Sequence, residues 1–203
     1  MESLKRLLAP ALLLAGLLMA TGCSYNVGYK STYLPEPASQ EKMDAKVLIY
    51  TTAEQDAYVY SEHPKSFTAS ATTLSVPLGE ITRQVAVRAF SARFTSVDTS
   101  NSLDQRVAYR VVVTPRISNF EYGYYQLENL GFAITPKVQV DLEVHATDGQ
   151  GQPVLDKTYS SGLTRGESYV LSGSPSERTN AILHGALWDL MWQAAGEVRA
   201  ALQ

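Results

Sequence analysis

The chain has 203 residues and one cysteine, Cys23. One cysteine cannot close an intrachain disulfide, nor supply the several thiolates of a structural zinc site. Histidine is scarce as well. His63, His145 and His184 fall on three different expected elements, without metal-ligand spacing, and read as solvated or hydrogen-bonded side chains. Charged residues make up only 18% and the formal charge is −3, which leaves no basic face for nucleic acid. There is no G-x-S-x-G nucleophile turn and no phosphate-binding glycine loop. Asp148-Gly149 lacks the flanking acidic ligands of a calcium loop and reads as a hairpin turn. Glu167 beside Arg165 is a local charge pair of the kind found in solvated loops. Beyond residue 20 no stretch approaches the roughly 18 consecutive apolar residues of a membrane helix. These absences argue against an enzyme and against a metal or dissociable cofactor.

What is present begins at the N-terminus. Lys5 and Arg6 precede an uncharged, leucine-rich run from Leu7 to Ala20. As a helix that run spans about 20 Å, short of the roughly 30 Å of bilayer hydrocarbon, so it reads as a signal peptide. It ends in Ala20-Thr21-Gly22-Cys23, which resembles the lipobox of bacterial lipoproteins, with alanine where leucine is commoner. The resemblance implies cleavage before Cys23 and a covalent acyl/diacylglycerol modification of that residue. A lone thiol in an exported protein is an oxidation hazard, whereas a thioether is not. Several acyl chains together, each buried CH₂ adding about 0.8 kcal/mol, make such attachment effectively permanent. Ser24, where an aspartate would signal retention, implies by the same resemblance the periplasmic face of the outer membrane. Cleavage removes two of the 17 basic and one of the 20 acidic residues, leaving a formal charge of −4.

Three segments follow: a signal peptide over 1–22, a lipidated tether over 23–45, and one periplasmic domain over 46–203. Pro35, Pro37, Ser39, Gln40 and Glu41 suit an extended tether. Tyr25, Tyr29 and Tyr33 would share a face on a helix, but Gly28 and the prolines weaken one. Separate docking or a loose segment is the expectation.

Within the domain, Lys46-Val47-Leu48-Ile49-Tyr50-Thr51 suits a central strand. A Ser/Thr-rich strand is expected around Ser66 to Val76. After Pro77 a helix is expected from Leu78 to Phe94, with Leu78, Ile81, Val85 and Ala89 on its apolar stripe. A polar loop from Ser96 to Arg106 leads to a strand in which Val107, Tyr109, Val111 and Val113 alternate. The apolar parity changes across Pro115, as a bulge would produce, before Ile117, Phe120, Tyr122 and Tyr124 continue extended. Strict alternation from Lys137 to Ala146 predicts a half-buried antiparallel strand, with a hairpin partner from Val154 to Ser161. Ser174-Pro175-Ser176-Glu177 reads as a capping box opening a last helix that runs almost to Gln203. The sum is an α+β fold: a two-layer sandwich whose mostly antiparallel sheet carries two amphipathic helices on one face.

Two surfaces are candidates for binding. Tyr122, Tyr124 and Tyr125, extended by Phe132, form an aromatic patch of the kind enriched at protein interfaces. Trp188 and Trp192, neighbours on the last helix, suit either core packing or an apolar cleft against the sheet.

The lipobox, the early strand Val47 to Tyr50, the Lys137 to Ser161 hairpin and the capped helix from Ser174 together resemble YajG-type outer-membrane lipoproteins. The layout is also similar to auxiliary lipoproteins of ABC-type lipid transporters and to the N-terminal domain of TolB-like proteins. The resemblance implies a fold and a location, with no catalytic residues to carry over. Two roles follow: an envelope interaction or scaffold module with a protein partner, and an auxiliary binding protein for an apolar envelope ligand.

Overall fold

The computed structural model describes residues 24–37, 40–125, 133–170 and 175–203. Residues 1–22, Cys23, Phe132 and Ser174 lie outside the described residues.

The centre of the molecule is β2 (Met43–Tyr50), in which Val47, Leu48 and Ile49 are all buried. Consecutive burial needs cover on both faces and a neighbour on each edge. Both neighbours are parallel: β5 (Phe94–Ser100) on one side and β6 (Val111–Tyr125) on the other. Beyond β6 the sheet turns antiparallel, through β7 (Thr135–Asp148) to β8 (Pro153–Ser160), with β9 (Thr164–Arg165) also on β7. The order is β5-β2-β6-β7-β8.

A short helix α1 (Ala53–Asp56) follows β2, and α2 (Leu78–Ser91) and α3 (Pro175–Ala201) supply the helical layer. Ile81, Val85 and Ala89 of α2 and Leu183, Leu187 and Met191 of α3 share one core with Val47, Ile49, Val111, Val113, Val140 and Leu142 of the sheet. Each such side chain contributes about 1.5–3 kcal/mol by leaving water. A second sheet, in order β1-β4-β3, is formed by β1 (Ser24–Asn26), β4 (Thr73–Val76) and β3 (Tyr60–Glu62). Tyr60, Leu74 and Val76 carry it into the same core. The architecture is an α+β sandwich, with both long helices packed on the main sheet.

The α+β sandwich stands as expected, and most of the sheet's pairing is antiparallel, with a parallel triplet β5-β2-β6 at one side. Several expectations need correction. β5 hides in the stretch expected to be a loop: of Phe94-Thr95-Ser96-Val97-Asp98-Thr99-Ser100 only Phe94 is buried, so this edge strand carries almost no apolar signal. α2 therefore ends at Ser91, and Phe94 belongs to β5. Val107 sits in a 3-10 turn over Arg106–Ala108, and β6 starts at Val111. β6 runs straight through Pro115, and the bulge falls two residues later, between Ile117 and Asn119. Of the span Ser66 to Val76, only Thr73–Val76 is a strand.

The expected tether is also not a free linker where it is described. Residues 24–26 form β1, paired with β4 from Ser24 onward, and Leu34 is buried in the core. Apolar and aromatic residues in the segment give it enough to bury, despite its prolines.

Candidate functional site

Where β2 ends, its neighbour β6 continues. The β2–β6 pairing stops at Ile49↔Val113, and the stretch Pro115–Ile117 beyond it borders an open cleft of about 490 Å³. Pro115 fits this place, because a proline has no N–H to leave unpaired on an edge. The opposite wall is Thr51, Thr52, Glu54, Gln55 and Tyr58 after β2, and Leu78, Gly79 and Thr82 of α2.

Local rules set this wall. Thr52 caps α1: its Oγ1 accepts from the Gln55 N–H at 3.1 Å, and Gln55 Oε1 accepts from the Thr52 N–H at 2.9 Å. Gly79 lets α1 lie against the first turn of α2, since a Cβ there would stand 1.9 Å from the Gln55 carbonyl oxygen. The Gly79 N–H donates to the Tyr58 carbonyl at 3.1 Å, and Arg83 Nε donates to Asp56 Oδ1 at 2.6 Å. α1 is thus clamped rather than hinged.

Three features give the cleft its chemistry. Leu78, Pro115 and Ile117 make an apolar floor, and the half-exposed Tyr58 stands at the rim. Arg116 lines the cleft while its guanidinium is paired with Glu143. Thr51 is 3% exposed, and its Oγ1 has no hydrogen-bond partner among the described residues. The Thr51 backbone is satisfied, since its N–H donates to the Ser100 carbonyl and its carbonyl accepts from Asn101 Nδ2. A buried hydroxyl left open beside a cavity is a site for a ligand polar group or for water.

A second cluster seats the N-terminal segment on α3. The buried His184 bonds the Asn180 carbonyl through Nδ1 at 2.8 Å, while Nε2 accepts from the Lys30 N–H at 3.1 Å. These partners set one neutral tautomer, with the proton on Nδ1. Burial holds the imidazole below its ordinary pKa, the favourable Asn180 bond notwithstanding. Tyr29 and Tyr33 flank the ring at centroid distances of 5.7 and 5.6 Å. Asn180 Nδ2 donates to the Gly28 carbonyl at 2.8 Å. Glu177 Oε2 accepts from Lys30 Nζ at 2.8 Å and from the Tyr33 hydroxyl at 2.6 Å, and these bonds, Lys30 first, hold its pKa below the usual carboxylate range.

The residues singled out from sequence are placed as follows. Tyr122 and Tyr124 do not form a surface: both are buried, the first donating to the Glu62 carbonyl at 2.8 Å, the second accepting from Thr179 Oγ1 at 3.1 Å. Beyond the bulge after Ile117, Phe120, Tyr122 and Tyr124 point inward, where Tyr60 of β3 packs on Phe120 and Tyr122, and Tyr124 packs on Tyr122. Tyr125 is exposed, and Phe132 and Cys23 lie outside the described residues. Trp188 is buried and stacks on Trp192 at 5.4 Å, while the Arg93 guanidinium covers Trp192 at 3.9 Å. Neither tryptophan lines the β2 cleft. His63 meets the Thr72 carbonyl and His145 meets Asp156, on separate elements from His184. Among the described residues no three acidic, histidine or cysteine side chains gather to hold a metal, and no helix is long and apolar enough to cross a membrane. Sequence reasoning missed the β2 cleft, although Thr52-Ala53-Glu54-Gln55 carries a readable capping signal directly after a strand.

No family model matches the chain, and no curated protein sequence matches it. Among solved structures it is similar to a PelC dodecamer from Paraburkholderia phytofirmans, at 14% identity and a TM-score of 0.36 over 78% of this chain and 93% of that one. It is similar to a putative neuraminyllactose-binding hemagglutinin homolog from Helicobacter pylori, at 10% identity and a TM-score of 0.45 over 78% and 85% of the two chains. It is also similar to a minor lipoprotein from Acinetobacter baumannii, at 13% identity and a TM-score of 0.35 over 76% and 92%. Likeness at this level carries no statement about activity or partner.

Proposed function

We propose that the chain is a lipid-anchored binding module of the bacterial cell envelope. Residues 1–22 export it, acylated Cys23 holds it, and the cleft at the end of β2 is its recognition site. Ser24 and the YajG-type pattern place it, on this reading, at the periplasmic face of the outer membrane. No catalytic step and no cofactor beyond the covalent lipid are assigned to it.

The observation that supports the recognition site is an open cleft of about 490 Å³ with an apolar floor, lined in part by Thr51, whose buried hydroxyl has no partner among the described residues. A module that binds through a small cleft needs such a combination: apolar area for affinity and a few fixed polar atoms for orientation. Tyr122, Tyr124 and Trp188 are buried in the core, so this reading rests on the cleft and not on them. The partner is an envelope protein presenting a side chain or terminus to the cleft, or a small ligand of the same mixed character.

The test is photo-crosslinking in intact cells, with a photoreactive side chain in place of Tyr58 in the full chain. A discrete product is expected, which Ile117→Trp should abolish by filling the cleft. A product unaffected by Ile117→Trp, or none at all, would overturn the assignment.

A further inference from the structure

We infer that the end of the molecule carrying the 63–72 loop is a membrane-seating surface, with Phe67, Tyr125 and Val170 entering the headgroup region of the bilayer. The inference rests on the lipid anchor proposed above and adds the face with which the domain meets the membrane.

Strand register locates that end. β1 pairs in parallel with β4, Ser24 opposite Thr73, so the chain enters the fold beside the first residue of β4. Cys23 precedes Ser24 by one residue. β3 is antiparallel to β4, with Glu62 opposite Leu74, so the chain leaves β3 at this same end and crosses residues 63–72 before β4 begins. Ser24, the residue after the proposed anchor, and the loop therefore lie side by side.

The loop is built to hold its shape. His63 Nδ1 meets the Thr72 carbonyl at 2.8 Å across its base. Thr72 Oγ1 donates to the Ala69 carbonyl at 2.7 Å, and Ser66 Oγ to the Thr68 carbonyl at 3.0 Å. Two bonds fasten the loop to the end of β6: Lys65 N–H to the Tyr122 carbonyl at 2.7 Å, and Tyr124 N–H to Ser66 Oγ at 2.9 Å. What this scaffold presents is Phe67, 97% exposed. One exposed phenylalanine is ordinary on a protein surface, and its weight here comes from its place beside Ser24 and from its exposed neighbours.

Its neighbours fit a bilayer. Tyr125, 41% exposed, ends β6 at the point where the loop is fastened. Its pairing with Thr135 puts the Ile134↔Tyr169 bridge at this end as well, and with it Val170, 64% exposed. Exposed Lys65 stands two residues from Phe67, where its ammonium can remain at headgroup level while the stem follows the ring. Aromatic tips with a flanking lysine are the composition of a membrane interface. Burying one phenylalanine raises partition roughly tenfold to a hundredfold. That is too little to hold the protein alone, but enough to orient a body whose acyl chains already hold it.

The test uses the full chain made in bacteria, with its acylation checked by intact mass. It is reconstituted into vesicles of phosphatidylethanolamine and phosphatidylglycerol. An environment-sensitive fluorophore is placed at Phe67→Cys, at Tyr125→Cys, or at Val107→Cys. Val107 is 68% exposed but lies just before the start of β6, at the opposite end of that strand. Blue-shifted emission at the first two sites is expected, with quenching by shallow nitroxide lipids at least about threefold stronger than at Val107→Cys. An acylated, vesicle-bound chain whose 67 and 125 labels are as wet as the 107 label overturns the seating surface and leaves the anchor standing. A chain without the acyl mass overturns the anchor, and this inference with it.

Discussion

The His184 ring in the clasp and the Thr51 hydroxyl beside the cleft are buried polar groups treated in opposite ways. His184 is fully buried and both ring nitrogens have partners, one on its own helix and one on the N-terminal segment. Thr51 is nearly as buried, yet its hydroxyl has none among the described residues. A satisfied ring fixes a single arrangement of chain and tolerates no loss of its partners, although Asn180 Oδ1 in the same clasp has no partner among the described residues. An unsatisfied group stores a small penalty that something outside the chain can relieve. The difference separates the part of the molecule that holds the N-terminal segment in place from the part that is free to recognise.

The clasp should therefore be the fragile member of the pair. In His184→Ala the Lys30 N–H loses its acceptor and the ring leaves a gap between Tyr29 and Tyr33. The expected cost is about 2–4 kcal/mol, read as a lowered denaturant midpoint, together with faster proteolysis within residues 24–37. A variant as stable as the parent, with that segment still protected, would show that the docked segment does not depend on the histidine.

Lowering the pH should strain the same contact by a smaller amount. The docked form holds neutral imidazole, whose pKa burial has pushed down, while the undocked ring takes a proton near its ordinary value of about 6.5. Docking is therefore fully supported above about pH 6.5. It weakens as the pH falls below that value, by at most about 1.4 kcal/mol per unit, until the depressed folded value is reached. A proton on Nε2 would face the Lys30 N–H donor directly. Glu177 keeps its charge through this window because its own pKa is lowered, so the Lys30 pair does not fail at the same time. Amide exchange at Val27 and Lys30, corrected for intrinsic rates, should lose protection between pH 6.5 and 5 while Val85 does not. Equal behaviour at all three amides would refute a local release.

Much of the frame was legible in the sequence, and the site was not. The stripe Leu78, Ile81, Val85, Ala89 and the alternation from Val138 to Ala146 each repeat at the period of their element, so burial there follows from spacing, whereas Lys137 at the head of the alternation is buried despite it. β5 escaped because an edge strand needs few apolar residues, and its Thr and Ser read as loop. Tyr122 and Tyr124 were misplaced for a different reason: tyrosine is equally at home in a core or an interface. Which one applies depends on a bulge and on Tyr60, far away in sequence. His184 offered no periodic signal at all, since its partner Lys30 is separated from it by 154 positions. The β2 cleft depends on where one strand stops while its neighbour continues, a property of register that no local pattern states.

The smallest effect belongs to the cleft, and it makes the comparison sharpest. Thr51→Val keeps the shape of the side chain and removes the unpartnered hydroxyl. Removing an unsatisfied buried oxygen should leave stability unchanged or raise it by up to about 1 kcal/mol, opposite in sign to His184→Ala. The same change should weaken the crosslink made from position 58, because it removes the polar atom that orients what enters. A Thr51→Val chain that melts well below the parent would mean the hydroxyl is already satisfied by bound water serving the fold. The cleft would then be a structural cavity like any other. A chain that melts at or above the parent and crosslinks less separates holding from recognising within one protein.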